Sequence, residues 1–186
     1  MHDKDETQLI RRAQTGDEDA FVILHQRHWE DIFRFIYFRV DSQAVAEDLT
    51  SDVFVKMVEK IESYRFKGKP LLAWLYTIAR HLVIDHYRKN GSKPKFTQLD
   101  ERIDAGDKGD PIKLTNRQLA ADCLRRALAH LTELQRDVIT GKFIDQRSNK
   151  EVAQLLGRTE GAIKSLQHRA LNSLKRAIEK EKCYEP

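Results

Sequence analysis

Arg158, Thr159, Glu160, Lys164, Ser165, His168 and Arg169 recur at helical spacing around a small Gly161. A basic face with short hydrogen-bonding groups suits base edges and phosphates in a DNA major groove. Arg or Lys would favour guanine there, and Glu160 can accept from a cytosine amino group. Arg158, Thr159 and Glu160 stand at the N-terminal end, where backbone amides and a positive dipole meet phosphate or base edges. To present such a face, the chain needs two helices joined by a tight turn. The stretch supplies a first helix from Lys150 to Leu156, a break at Gly157 and a second helix from near Thr159. Ala153 sits where crossing helices need a close approach, and Gly157 can take the left-handed conformation of the turn. Ile163, Leu166, Ala170 and Leu174 form the stripe that packs back. The plainer alternative is a helical hairpin with a solvated basic face; spacing, glycine and charge together favour a DNA-entering helix-turn-helix.

Three other clusters carry chemistry. Asp48 and Asp52, next to Glu47, share one helical face. A carboxylate pair can hold a metal or act as acid and base, but no third ligand or histidine is suitably placed. A solvated helix face is the other reading. Residues 62–70, ESYRFKGKP, form a basic loop in which Tyr64 and Phe66 can stack on bases while Arg65, Lys67 and Lys69 hold phosphates. A simple connector is its alternative. His81, Asp85 and His86 suggest a metal site, yet His86 points away from the other two. Neither a metal nor another cofactor is expected. Cys123 and Cys183 lie far apart in sequence, so they read as a buried thiol and a tail thiol, without a disulfide.

Composition sets the frame for these clusters. At 186 residues, with 40% hydrophobic content, the chain can form one domain or two small ones. No apolar run approaches a membrane span and the N-terminus lacks a signal-like segment, so a cytoplasmic protein without membrane insertion is expected. Residues 1–90 hold 14 Lys/Arg against 15 Asp/Glu, whereas residues 119–186 hold 13 against 9, so the net charge of +4 resides on the helix-turn-helix segment. Such an excess is the footprint of a phosphate-binding surface.

Periodicity predicts helices throughout and no strand. They cover Thr7 to Ala13, Asp17 to about Val40, Ala44 to Ile61, and Leu71 to about Lys89, with Trp74 on an inward stripe. After a glycine-containing stretch of mixed charge come Leu119 to Leu131, a capping box at Thr132 and Gln135 opening a helix to Phe143, and a second box at Ser148 and Glu151. The expected fold is all-α: a helical bundle over 1–90, a linker over 91–118, and a four-helix domain with the helix-turn-helix over 119–186.

The segments AEDLTSDVFVKM (46–57), PLLAWLYTIARHLVIDHYRK (70–89) and LTELQRDVI (131–139), followed by the helix-turn-helix, resemble in that order the extracytoplasmic-function (ECF) sigma factors, the small two-domain class of bacterial sigma factors. The resemblance implies sigma region 2 in the first half and region 4 in the last. It implies a non-enzymatic subunit that directs core RNA polymerase to promoters. Asp48, Leu49 and Asp52, supported by Phe54, would contact the β′ clamp helices. The loop Tyr64, Arg65, Phe66, Lys67 and Lys69 would capture a flipped base of the −10 element. Tyr76, Arg80, His81, Tyr87, Arg88 and Lys89 would face the same DNA. Arg158 to Arg169 would read the −35 element, and the helices bearing Leu131, Leu134 and Val138 would clasp the β flap. Acidic Asp100, Glu101, Asp104, Asp107 and Asp110 would thread toward the active-site cleft, and an anti-sigma factor is the implied further partner. Ser51 and His81 replace the Gln and Asn usual in the family, and Thr77 and Ile78 stand where housekeeping sigma factors place two tryptophans. The C-terminal half alone is also similar to the output domain of LuxR-type regulators. The helical N-terminal half, with no sign of a receiver domain, decides against a stand-alone regulator of that type.

Overall fold

The computed structural model describes residues 2–66, 68–91 and 111–183, with side chains from residue 5 and, in the last segment, from residue 119. Among them there is no strand. The first half holds α1 (His2–Gln14), α2 (Glu18–Tyr37), α3 (Gln43–Lys60) with a short 3-10 extension (Ile61–Ser63), and α4 (Leu71–Lys89). The second holds α5 (Pro111–Ala129), α6 (Glu133–Ile139), α7 (Asn149–Leu156) and α8 (Glu160–Lys180).

Local chemistry explains where these helices begin. Asp17 and Ser42 accept hydrogen bonds from Ala20 and Val45 backbone amides at the starts of α2 and α3. Pro70, which lacks an N–H, stands at the start of α4. Both expected capping boxes are present, Thr132 with Gln135 on α6 and Ser148 with Glu151 on α7. Two elements depart from the sequence reading. Helix α5 starts at Pro111, inside the segment read as linker. Helix α6 gives way at Thr140 to a π-type turn running to Ile144. There Gly141 lets α7 approach closely: a Cβ on it would lie 3.1 Å from a Val152 methyl.

Leu24, Ile32 and Ile36 of α2, Val53 and Met57 of α3, and Leu71 and Leu75 of α4 are almost fully buried and form the heart of the first half. Val138, Val152, Ala153 and Ile163 make a smaller core beneath the helix-turn-helix. The larger cluster continues from the first half into Ala127, Leu128 and Ile139 of the second, so the two halves pack against each other.

The cysteines correct the sequence reading. Cys123 on α5 and Cys183 beyond α8 are bonded as a disulfide, with Cα atoms 5.9 Å apart across a sequence separation of 60. Packing of α8 along α5 brings them together, helped by Glu181, which accepts from Arg126 (3.1 Å) and pairs with His130 (2.7 Å). Sequence spacing carries no trace of that packing.

Candidate nucleic-acid interface

The turn between α7 and α8 is built as its sequence requires. Gly157 adopts φ +63°, ψ +43°, and the Arg158 amide donates to the Ala153 carbonyl at 2.9 Å. Thr159 then caps α8 by accepting from the Ala162 amide at 3.2 Å. Ile163 and Ala170 are buried, with Leu166 and Leu174 half-buried on the same side. The other side is free. Arg158, Thr159, Glu160, Lys164, Ser165, His168 and Arg169 are all exposed, and nothing lies within 4 Å of a Cβ placed on Gly161. The structure brings these seven residues onto one accessible face.

The residues expected to meet a single strand are not all brought to one surface. Arg65 is exposed, its guanidinium donating to the Glu62 and Tyr64 carbonyls, and Phe66 is 60% exposed. Tyr64, expected to stack on a base, is instead buried against Trp74 at a ring distance of 5.0 Å, with its hydroxyl on the Lys69 carbonyl. Tyr64 therefore packs the loop onto α4, and Phe66 is its accessible ring. Tyr76 is likewise buried, stacked on Phe35 at 4.6 Å, and burial raises its phenol pKa. Lys67 lies outside the described residues, as do the linker carboxylates Asp100, Glu101, Asp104, Asp107 and Asp110. His81 and Arg88 are exposed on α4, with Arg88 paired to Asp85 at 3.0 Å. Tyr87 donates its hydroxyl to the Arg39 carbonyl at 2.9 Å, and burial pushes its pKa up to about 12.

Arg80 is turned toward the second half. It donates to Asp137 on α6 at 2.8 Å and lies 3.6 Å from Glu133. Asp137 also accepts from Arg39, which is 3% exposed, stacks over Phe35 and donates to the Phe35 carbonyl. Burial pulls the Arg39 pKa down to about 10, with Asp137 opposing the shift. Sequence reasoning missed Arg39 and Asp137, because each looks like one more charged position on an amphipathic helix and their partners lie 98 residues apart.

On α3, Glu47, Asp48, Ser51 and Asp52 are exposed along one face. Leu49, expected in the same contact, is 8% exposed and belongs to the core, one helical step off that face. The exposed apolar residues there are Val55 (54%) and Val58 (53%). Phe54 is buried against Trp29 and His25.

An accessible basic helix-turn-helix behind a helical bundle with an acidic face is the layout of a two-region sigma factor. The family profiles agree: sigma-70 region 2 matches residues 24–93, and sigma-70 region 4 matches residues 121–174. The chain is 36% identical over 172 residues to the ECF RNA polymerase sigma factor BldN of Streptomyces coelicolor, covering 92% of this chain but 65% of BldN. It is 30% identical over 176 residues to the ECF sigma factor SigD of Mycobacterium tuberculosis, covering 91% of this chain and 82% of SigD. Among solved structures, the sigma factor RpoE in complex with the anti-sigma factor NepR, from Bartonella quintana, shares the fold at TM-score 0.59 and 23% identity, covering 86% of this chain and 96% of that one. The chain belongs to the ECF RNA polymerase sigma factors.

Proposed function

We propose that this chain is a promoter-specificity subunit: it joins core RNA polymerase, places it at promoters through the −35 and −10 elements, and aids duplex opening there. The observation that carries the reading is one chain holding both an unobstructed basic recognition helix and a separate exposed acidic face on α3. A stand-alone DNA regulator has no use for the second. In this reading Arg158, Thr159, Glu160, Lys164, Ser165, His168 and Arg169 read the −35 element. Arg65, Phe66, Lys69, Arg80, His81 and Arg88 serve the −10 strand. Asp48 and Asp52, with Val55 as the apolar centre between charges, meet the β′ clamp helices. The β flap docks on the second half.

Nucleotide transfer belongs to the polymerase, so the chain needs no catalytic group or metal of its own. Among the described residues no group of His, Cys, Asp or Glu could hold a metal ion, and no helix is long and apolar enough to cross a membrane. A cytoplasmic location follows from work on the chromosome. Because RpoE was solved with an anti-sigma factor, an anti-sigma partner is proposed for this chain as well.

The test is association with core polymerase. Wild type should co-purify with it, and the Asp48→Ala/Asp52→Ala double variant should lose at least about tenfold in affinity while keeping its helical circular dichroism. Unchanged association would remove the α3 face from the contact. Failure of wild type to associate, with tight binding to a palindromic duplex, would favour the stand-alone regulator.

A further inference from the structure

The loop that carries Arg65 and Phe66 is fastened at both ends by α1. At its entry, the Gln14 carboxamide donates to the Ile61 carbonyl at 3.0 Å and to the Tyr64 carbonyl at 2.9 Å. The chain leaves helical structure there, and its carbonyls need donors that the helix no longer provides. One side chain thus serves backbone 47 and 50 residues away, gripping the carbonyl just before Arg65. At the exit, Leu71 opens α4 behind Pro70, which offers no side-chain cap. The Glu6 carboxylate takes that place. It accepts from the Leu71 amide at 3.4 Å, and its other oxygen pairs with His28 at 3.0 Å. A carboxylate at a helix N-terminus also meets the positive end of the dipole.

Helix α1 is itself well anchored. Leu9, Ile10 and Ala13 are buried in the core. A turn at Gly16 with φ +84° and the Arg12–Asp17 pair at 2.7 Å fix how it joins α2. The helix lies ahead of residue 24, where the match to sigma-70 region 2 begins. The loop, in contrast, has little of its own to hold it. Phe66 is 60% exposed, and Arg65 donates to carbonyls of its own loop. What fixes the loop lies beneath it: Tyr64 packed on Trp74, and the two α1 side chains.

We infer that Gln14 and Glu6 are positioning residues for −10 base capture: they brace the two ends of the loop so that Arg65 and Phe66 stand ready for an unstacked base. The inference rests on the sigma-factor reading of the loop and adds to it α1, which acts without touching DNA. The physical ground is preorganisation. A loop that had to order itself on binding would lose affinity, and a loop already braced avoids that loss.

The experiment uses the full chain assembled with core RNA polymerase, on a promoter found by sequencing the transcripts this holoenzyme initiates on chromosomal DNA. One −10 base at a time is replaced by 2-aminopurine, which brightens when it leaves the stack. Gln14→Ala removes both donors. It should weaken base capture about tenfold, as when only about a tenth of the loop population is competent. Association with core polymerase and binding to a −35 duplex should keep their wild-type values. In a Phe66→Ala background the same change should add no further loss, because residues acting through one step are not additive. Glu6→Gln keeps the shape and should give a smaller loss in the same direction, which tests the other end even where Gln14→Ala impairs folding. Wild-type capture in the folded variants would overturn the inference. So would a loss that adds in full to that of Phe66→Ala, the mark of general destabilisation. Amide hydrogen exchange in the free chain scores the brace by itself: residues 61–66 should exchange faster in Gln14→Ala, and wild-type rates would also overturn the inference. A wild-type holoenzyme that unstacks no −10 base sinks the base-capture reading instead, and the exchange rates still decide the brace.

Discussion

Single side chains determine both what this protein reads and when it is stable. Arg158 stands exposed at the start of α8, next to the amides that Thr159 caps. Arg158→Ala is expected to cost about 1–3 kcal/mol at one promoter position, measured by binding to a set of single-base −35 variants. A uniform loss across the set would make it a phosphate anchor instead. Glu6 has a different role. Its carboxylate pairs with His28 at 3.0 Å and accepts the first amide of α4, from Leu71. Burial by itself would raise its pKa, but the His28 bond and the Leu71 amide outweigh this and hold it below the ordinary glutamate range. A depressed folded-state value means that Glu6 stabilises the protein above its unfolded pKa, and that this is lost as pH falls through the lower folded value. Melting temperature should therefore drop on acidification below about pH 4.5, and Glu6→Gln should flatten the drop. The sequence disclosed the exposed basic face of α8 because its residues share one helix, where spacing alone defines a face. It misplaced Tyr64, Tyr76 and Leu49, since a tyrosine in a basic loop or a leucine beside aspartates gives no sign of which way it points.

Helices were the most legible level. Predicted and observed α4 agree, both caps of the second half sit where Ser or Thr precedes Gln or Glu, and the break at Gly157 falls as expected. Those signals are local: a hydroxyl, a carboxylate or carboxamide three residues on, a missing Cβ. The π-type turn after Ile139 had no such signal, because it answers to the close approach of α7 at Gly141. Gly157 carries the element-scale prediction. Forcing an L-residue into its left-handed conformation costs about 1–2 kcal/mol. Gly157→Ala should lower unfolding free energy by that amount in urea melts. Its new methyl would also press on Lys69, whose ammonium nitrogen would lie 2.7 Å away.

The whole molecule is held by links that join distant segments. The Cys123–Cys183 bond closes a loop with a sequence separation of 60, and a loop of that size stabilises by about 4 kcal/mol in the chain-entropy view. Reduction, or Cys183→Ser, should lower the melting temperature of the second half. An unchanged melt would mean that the ion pairs of Glu181 with Arg126 and His130 already hold α8 on α5. The contact between halves acts at the same scale. It brings five arginines and a lysine to a shared seam, where Asp137 of α6 pairs with both Arg39 and Arg80 of the first half.

From sequence alone came the all-helical architecture, the capped starts of α2, α6, α7 and α8, the helix-turn-helix with its exposed basic face, and the family. These rest on periods of a few residues and on composition, which a chain displays before it folds. The tertiary structure alone decided that Cys123 meets Cys183, that Tyr64 and Tyr76 turn inward, and that Arg39 and Arg80 are both held by Asp137. The reason is physical: each depends on which helix packs against which, and the free energy of that choice is spread over many apolar contacts that leave no local pattern.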